Sequence, residues 1–185
     1  MAAVLKVAVV ALAVIAAEKK FTAADGTTVY NIRQFLEQNP VLMTMRTTYS
    51  SFNPCQWYQR ESESDSGVTV STWVYIHNTN RTTRMGDAKN WSFKGTDTMW
   101  LGDEEDGIDE KKLIYQTTDG DCGVIQYDEY FDGSVKNSYE LLVTKGKIRN
   151  VPEQCKNFYL GKINGKPDSS NKPEDLQNCK YQRNR

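Results

Sequence analysis

The sequence predicts a mostly β fold: an eight-stranded antiparallel barrel with a short N-terminal helix, a C-terminal helix and two disulfides. About eight β-rich segments separated by turn-forming residues follow one another along the chain. Two Asp-Gly pairs, Asp119-Gly120 and Asp132-Gly133, join the last three segments, so these strands are antiparallel neighbours in a meander. Eight antiparallel strands with adjacent connections close naturally into a barrel, although a β-sandwich is an alternative.

Residues 1–17 are typical of a secretory signal peptide. They form an apolar run with one lysine, Lys6, and end in small residues, and the run is too short for a comfortable membrane span. Cleavage near Glu18 leaves residues 18–185 as one secreted, extracellular domain. Loss of Lys6 makes the formal net charge of −1 more negative by one unit, which gives no support for nucleic acid or an anionic membrane as partner.

The first half of the domain contains one short helix followed by strands. From Thr28 to Asn39, apolar residues recur at helical spacing. Pro40 ends this helix, because proline disfavours helical geometry in the residue before it. The strand segments that follow span residues 41–49, 55–60, 67–77, a stretch around 90–94, and 96–101.

Two sequons, Asn80-Arg-Thr82 and Asn90-Trp-Ser92, predict glycans on Asn80 and Asn90, because such acceptors lie on the surface of exported proteins. A glycan on Asn90 requires its side chain to point outward. By strand alternation, Trp91 and Phe93 then point into the barrel.

The acidic run from Gly102 to Glu110 is interpreted as a solvated loop before the meander, since its spacing does not match a helix-loop-helix calcium site. The meander begins at Lys111–Thr117 and continues into a hairpin that opens at Cys122. After it, a proline in the first turn and a helical phase from Val151 to Tyr159 predict the C-terminal helix.

No catalytic constellation is present in the sequence. His77 is the one histidine, and we expect it to be an exposed structural residue. There is no nucleophile elbow, phosphate-binding glycine loop or paired-histidine zinc motif. We therefore expect a binding protein rather than an enzyme, with no cofactor and no metal site.

The four cysteines, Cys55, Cys122, Cys155 and Cys179, are expected to form two disulfides in an exported chain, and their positions allow three connectivities. None of the spacings is of the Cys-x-x-Cys kind, which argues against a zinc site. Because all four cysteines are expected to be oxidised, a thiolate nucleophile is not expected.

With these features the chain resembles the salivary lipocalins of ticks, a family that includes the histamine-binding proteins. The resemblance covers nearly the whole mature chain and depends on six segments: Asn39-Pro40-Val41-Leu-Met, Met43-Thr-Met-Arg46, Cys55, the Cys122 hairpin, Val151-Pro-Glu-Gln-Cys155 and Cys179. It implies a lipocalin-like barrel with Cys55 paired to Cys179 and Cys122 to Cys155. It also implies secretion in tick saliva and a role in immune evasion.

The amine-binding members carry a loose signature of Cys-Asp-aliphatic, then Glu-Leu-aromatic, then Cys. Here the signature reads Cys122-Gly123-Val124, Glu140-Leu141-Leu142 and Cys155. Glu140 is retained, but Gly123 replaces the aspartate and Leu142 the aromatic residue. These replacements matter because a buried amine needs carboxylates to offset its desolvation and aromatic faces to hold its cation.

Strand alternation alone leaves the orientation of Glu140 open. Tyr139, Leu141 and Val143 form the more apolar face of this strand and by that criterion point inward. The resemblance implies the opposite, with Glu140 and Leu142 facing the cavity and the apolar face packed beneath a helix.

Three functions follow, and the fold alone does not choose among them. The first is sequestration of a host biogenic amine such as histamine or serotonin, with Glu140 as its charge partner, which would suppress host inflammation. The second is sequestration of a lipid such as a leukotriene or fatty acid. The possible apolar lining for it is Met43, Met45, Trp91, Phe93 and Leu142. The third is a protein-binding immunomodulator whose loops, including residues 103–110, contact a host protein. In each case we expect a monomer.

Overall fold

A computed structural model describes residues 21–22, 28–103, 107–171 and 179 of the chain. The signal peptide predicted at residues 1–17 lies outside these ranges and stays a prediction. Among the helices that are described, none is long and apolar enough to cross a membrane.

Two α-helices and eight of the twelve described strands follow the predicted order, whereas the short strands Phe21–Thr22, Thr28–Val29, Arg81–Arg84 and Ser169–Ser170 were not predicted. Together the described α-helices and strands number fourteen. They are β1 (Phe21–Thr22), β2 (Thr28–Val29), α1 (Ile32–Gln38), β3 (Val41–Thr47), β4 (Gln56–Glu63), β5 (Gly67–Ile76), β6 (Arg81–Arg84), β7 (Lys89–Lys94), β8 (Thr98–Asp103), β9 (Gly107–Gln116), β10 (Cys122–Phe131), β11 (Ser134–Thr144), α2 (Glu153–Ile163) and β12 (Ser169–Ser170).

Eight of these strands form a closed antiparallel barrel, which confirms the predicted fold class. Strands β3, β4, β5 and β7 to β11 pair in that order, and β11 returns to pair with β3. The closing register includes Glu140 opposite Thr47 and Val143 opposite Met43. Because the sheet closes on itself, the sandwich alternative is wrong.

The predicted hairpin between β10 and β11 is confirmed. Its strands are paired from Cys122 opposite Val143 to Phe131 opposite Ser134. The turn residues Asp132 and Gly133 have φ angles of 48° and 69°. Positive φ at both positions is what a two-residue turn of the primed type requires, and it explains the Asp-Gly pair.

The described part of the acidic run, residues 102–103 and 107–110, lies in strands and is not the solvated loop that the sequence suggested. Asp103 pairs with Gly107 across the β8–β9 hairpin, and Asp109 and Glu110 lie within β9. Lysines on β7 accommodate the charge: Lys89 Nζ lies 3.1 Å from Asp109 and Lys94 Nζ 3.2 Å from Glu110. Because β8 lies between β7 and β9, these ion pairs reach across one strand. The opposite charges offset the low β-propensity of the acidic residues.

Helix α1 closes one end of the barrel. Asn31 caps it by accepting a hydrogen bond from the backbone N–H of Gln34 at 2.9 Å. Asn39, which precedes Pro40, ends it and donates from its side chain to the carbonyls of Phe35 and Gly120 at 2.8 and 3.0 Å. The second bond fastens the helix to the β9–β10 turn.

Two hydrophobic clusters lie on opposite faces of the barrel wall. The inner cluster fills part of the barrel and includes Ile32, Phe35, Leu36, Leu42, Val68, Val70, Trp91, Met99, Leu113, Ile125, Tyr127 and Leu142. The outer cluster packs the wall against α2 and includes Met43, Met45, Leu141, Val143, Cys155, Tyr159 and Ile163, with Tyr139 at its edge. The apolar face of β11 therefore lies beneath α2, as the resemblance implied.

Both expected disulfides are present, with the pairing that the resemblance implied. Cys122 on β10 is bonded to Cys155 on α2, with their Cα atoms 6.4 Å apart. Cys55, just before β4, is bonded to Cys179, with a Cα separation of 5.6 Å. The first bond holds α2 against the barrel wall.

Candidate ligand-binding cavity

The barrel encloses a cavity of about 270 Å³. Apolar residues of α1 form its floor, and exposed residues at the other end, among them Ser51 and Lys89, form its mouth. Among the described residues, the lining consists of Ile32, Phe35, Leu36, Leu42, Tyr49, Ser51, Gln56, Tyr58, Val70, Thr72, Met85, Lys89, Trp91, Met99, Lys111, Ile125, Tyr127, Glu140 and Leu142. Such a mostly apolar space with few polar groups is typical of a small-molecule site.

A buried ion pair lies inside this cavity. Lys111 Nζ is 3.0 Å from Glu140 Oε2, and the two residues are only 8% and 3% exposed. Tyr58 joins the pair: its hydroxyl donates to Glu140 Oε1 at 2.7 Å and accepts from Lys111 Nζ at 3.2 Å. These three side chains form a closed triangle of hydrogen bonds.

Strand register brings the three residues together from different parts of the chain. Lys111 on β9 pairs with Tyr127 on β10 and with Met99 on β8. Glu140 on β11 pairs with Ile125 on β10. Since directly opposite residues in a sheet share a face and Tyr127, Met99 and Ile125 all line the cavity, both charged side chains point inward.

Three aromatic rings surround the Lys111 ammonium. Its Nζ lies 4.3 Å from the ring centroid of Tyr58, 4.9 Å from that of Tyr127 and 5.6 Å from that of Trp91. All three distances are within the range of cation–π attraction, which grows stronger when the cation is desolvated. Carboxylate, hydroxyl and rings together form what we call the cation cage.

The tyrosines of the cage stay protonated. Burial, and secondarily the Glu140 carboxylate, raise the pKa of Tyr58 well above its ordinary value. Burial, followed by Asp109 and Glu129, also raises the pKa of Tyr127 strongly. A protonated Tyr58 can donate to Glu140 while it accepts from Lys111.

The structure brings only part of the predicted lining to the cavity. Glu140, Leu142 and Trp91 line it. Phe93 also points inward, as predicted, but it packs at the edge of the inner cluster, with the guanidinium of Arg33 6.0 Å from its ring. Asn90, the residue before Trp91, is exposed, which is the orientation that its sequon requires. Asn80 is exposed as well.

The assignment of Met43 and Met45 to the cavity lining is wrong. Both belong to the outer cluster beneath α2, while Leu42, their neighbour on β3, lines the cavity. The physical reason is that α2 buries the outer face of β3, so apolar side chains are favourable on both faces of this strand.

Sequence reasoning missed Lys111. Alternation places Lys111 on the same face as Leu113, but the sequence does not show that this face is the inner one. In the structure, Leu113 is 1% exposed and belongs to the inner cluster. Residues two apart on a strand share a face, so Lys111 points inward and Lys112 outward. A lysine is rarely buried without a partner, and Glu140 supplies it.

Gly123 explains how the barrel floor is packed. A Cβ at this position would lie 2.7 Å from Phe35 Cζ and 3.1 Å from Leu113 Cδ1. The amine-binding signature has an aspartate at residue 123. In this chain the ring of Phe35 from α1 occupies the space that such a side chain would need. In this chain the floor of the cavity is apolar.

One group of potential metal ligands occurs among the described residues. Atoms of Cys55, His77 and Cys179 lie within 4.8 Å of one another, and His77 Nε2 is 3.2 Å from Cys55 Sγ. Both sulfurs are joined in a disulfide, whereas zinc binding needs thiolates. The exposed His77 is therefore best explained as a contact to this disulfide.

Comparison with known proteins identifies the fold. No family model matches this sequence, and no curated protein matches it. Among solved structures, the AM182–serotonin complex matches with a TM-score of 0.51 and 14% identity, over 72% of this chain and 82% of that chain. The siderocalin Ex-FABP matches with a TM-score of 0.53 and 9% identity, over 72% and 88% of the two chains.

Lipocalin 12 from rat epididymis matches with a TM-score of 0.55 and 6% identity, over 72% of this chain and 78% of that chain. These likenesses, with the eight-stranded closed barrel and its end helix, show that the chain has the lipocalin fold. In this chain the barrel encloses a cavity with one buried ion pair.

Proposed function

We propose that this protein is a secreted scavenger that holds one small amphipathic host mediator in the barrel, a lipid with an apolar body and a carboxylate head such as a fatty acid or leukotriene. By lowering the free concentration of this mediator it would suppress host inflammation. The observation that carries the proposal is the Lys111–Glu140 ion pair inside an otherwise mostly apolar cavity.

The apolar lining favours a ligand with a large apolar body. The side chains around the ion pair are aliphatic, aromatic or thioether groups: Leu42, Val70, Trp91, Met99, Ile125 and Leu142. Burying apolar ligand surface against them stabilises the complex by roughly 25 cal/mol per Å² before the cost of ordering the ligand.

The Lys111 ammonium favours an acceptor as head group. A lysine ammonium has three N–H donors, and two are directed to Glu140 and Tyr58. The third can donate to a ligand carboxylate, and such charge-assisted hydrogen bonds are stronger than neutral ones. An anionic head would therefore share Lys111 with Glu140 without breaking the existing pair.

Three probes with one alkyl chain and different head groups test this proposal. We expect calorimetry with the mature, disulfide-bonded protein to give the tightest binding for dodecanoate, weaker binding for dodecanol and the weakest for dodecylamine. Binding of dodecylamine more tightly than dodecanoate would contradict the proposed ligand class. If no small molecule binds, a host-protein partner becomes the leading hypothesis.

A biogenic amine is the second candidate, because the cation cage presents a carboxylate and aromatic faces to an ammonium. One structural neighbour is a serotonin complex, which is consistent with this candidate. Calorimetry of the unmodified protein with histamine and serotonin tests it. Tight binding that Glu140→Gln abolishes would make the amine the better assignment.

A further inference from the structure

We propose that Lys111 is a tethered ligand of its own barrel: its ammonium occupies the cation position of the cavity and thereby excludes free amines. The inference rests on the proposed function only in placing the ligand in the same cavity. Lys111 is then the residue that determines whether the barrel accepts a cationic or an anionic ligand.

Each group of the cation cage that would recognise a free ammonium is already in contact with Lys111. The Glu140 carboxylate accepts from its Nζ at 3.0 Å, and the Tyr58 hydroxyl accepts at 3.2 Å. The rings of Tyr58, Tyr127 and Trp91 face the same nitrogen. An incoming amine would find these contacts occupied by a cation of its own kind.

The tether gives Lys111 a large advantage over a free amine. The side chain starts from a strand that is paired on both sides, to Met99 and to Tyr127, so its ammonium is held near Glu140 without association from solution. An intramolecular partner has an effective concentration of at least about 1 mM. An amine at micromolar concentration competes poorly against it.

The other lysine that lines the cavity is held differently. The side chain of Lys89 is 53% exposed and pairs with Asp109 at the mouth, where solvent weakens the interaction. Among the described lining residues, Glu140 is the single carboxylate. A free amine that reaches the cation cage therefore meets one lining carboxylate, which Lys111 already holds. Asp109 and Glu129, which contact lining tyrosines, are themselves paired with lysines at 3.1 and 3.3 Å.

Replacing Lys111 by methionine tests the proposal directly. Methionine is unbranched and of similar length, so Lys111→Met removes the charge with little change of volume. The matched control is Lys112→Met on the next residue of the same strand. Its ammonium is on the other face, 3.3 Å from Asp97, and its side chain is 46% exposed.

Two probes with the same ring and opposite head charges, tryptamine and indoleacetate, report on the cage by calorimetry. We expect the unmodified protein and Lys112→Met to bind tryptamine weakly or not at all. Lys111→Met should gain at least about 100-fold in tryptamine affinity, which is the usual scale of a buried charge pair. Indoleacetate should bind Lys111→Met more weakly than it binds the unmodified protein.

The double variant Lys111→Met/Glu140→Gln is the control for the case in which Lys111→Met does not fold. It removes both charges, so no unpaired charge is left buried, and it should fold even if Lys111→Met does not. Neither probe then finds an opposite charge in the cage. We expect its tryptamine affinity to be lower than that of Lys111→Met and equal to that of the unmodified protein. Equal tryptamine affinity in a folded single variant and in the double variant would overturn the proposal.

Tryptamine binding tests the tethered-ligand proposal, and dodecanoate binding tests the proposed function separately. Tight tryptamine binding by the unmodified protein, lost in Glu140→Gln, would overturn the tethered-ligand proposal without any need for Lys111→Met to fold. A gain of tryptamine binding in Lys111→Met supports the tether even if dodecanoate does not bind. If the unmodified protein binds dodecanoate but folded Lys111→Met shows no gain in tryptamine affinity, the proposed function is supported and the tethered-ligand proposal is rejected.

Discussion

Gly123 on β10 and Phe35 on α1 are in such close contact that a Cβ on Gly123 would lie 2.7 Å from Phe35 Cζ. The ring of Phe35 is completely buried and lines the floor of the cavity. The absence of a side chain at residue 123 therefore allows α1 to seal the barrel.

Substituting Gly123 should destabilise the protein. Gly123→Ala forces Phe35 to shift, and overpacking of this kind costs about 1–3 kcal/mol in the free energy of unfolding. Gly123→Asp should cost more, because it also buries a carboxylate beside apolar groups. Urea unfolding measures both effects.

Gly161→Ala is the control for this prediction. Gly161 lies in α2 with open space around it, and alanine at a helix position of this kind stabilises by up to about 1 kcal/mol. If Gly123→Ala were as stable as the unmodified protein, Phe35 would not be fixed at the barrel floor.

Removal of the two disulfides should have different costs. In the chain-entropy model, Cys122→Ala/Cys155→Ala should lose about 3–4 kcal/mol and Cys55→Ala/Cys179→Ala about 5 kcal/mol, because the second bond closes the longer loop. The sequence separations are 33 and 124 residues. Urea unfolding gives the energies, and peptide mapping without reduction checks the pairing; a Cys55–Cys122 peptide would contradict the topology.

The fold was largely predictable because its signals are local. The Asp132-Gly133 turn fixes the β10–β11 hairpin, and Pro40 after Asn39 marks the end of α1. Both depend on backbone conformations that few residues adopt easily. They can therefore be recognised without knowledge of the tertiary structure.

The site was less predictable because alternation shows which residues share a face but not which face looks into the barrel. Leu141 and Val143 are apolar and lie outside, beneath α2, whereas Glu140 lies inside. For the same reason, the assignment of Met43 to the cavity lining was wrong, since its side chain lies in the outer cluster. The role of Lys111 was not predictable because its partner Glu140 is 29 residues away in sequence, and only the barrel register brings the two side chains together.

Alkaline pH should destabilise the protein through its buried tyrosines. Burial is the main cause that raises the pKa of Tyr58 above its ordinary value of 10.0, and burial followed by Asp168 raises the pKa of Tyr159. In the unfolded chain these phenols lose their protons near pH 10 while the folded protein keeps them. Stability is therefore full below about pH 10 and falls as the pH rises above it.

The free energy of unfolding in urea, measured at a series of alkaline pH values, checks this prediction. Tyr159→Phe should lower the steepness of the loss above about pH 10, because one linked proton is removed. Tyr130→Phe should lower the steepness less, since Tyr130 is 38% exposed and burial, the main cause that raises its pKa, is smaller there. A loss of stability that is equally steep in Tyr159→Phe would show that this phenol is not linked to unfolding.

Asn90 should carry a glycan after expression in a eukaryotic secretory host. The residue is exposed on β7, and its side-chain oxygen accepts a hydrogen bond from Thr69 at 2.8 Å, which leaves the amide nitrogen for the sugar. Intact mass before and after glycosidase treatment tests occupancy, with Asn90→Gln as control. Since the glycan would lie outside the barrel, its removal should leave dodecanoate affinity unchanged.

Glu140→Gln should separate the two classes of ligand. The substitution keeps an acceptor for Tyr58, but it leaves the Lys111 ammonium without its carboxylate. Loss of one partner of a buried pair should lower the free energy of unfolding by about 3–5 kcal/mol. Glu153→Gln, whose exposed partner Lys156 is 3.7 Å away on α2, should change stability by less than about 1 kcal/mol.

Ligand binding by Glu140→Gln should then favour carboxylates, because a ligand anion takes the place of the lost side-chain anion beside Lys111. We expect dodecanoate to bind more tightly by about 1.5–3 kcal/mol, the range for a hydrogen bond to a charged group, and dodecylamine to bind more weakly. Calorimetry on the folded variant measures both. If dodecanoate bound Glu140→Gln and the unmodified protein equally well, the ligand carboxylate would not reach Lys111, and the head group would have to lie at the mouth of the cavity.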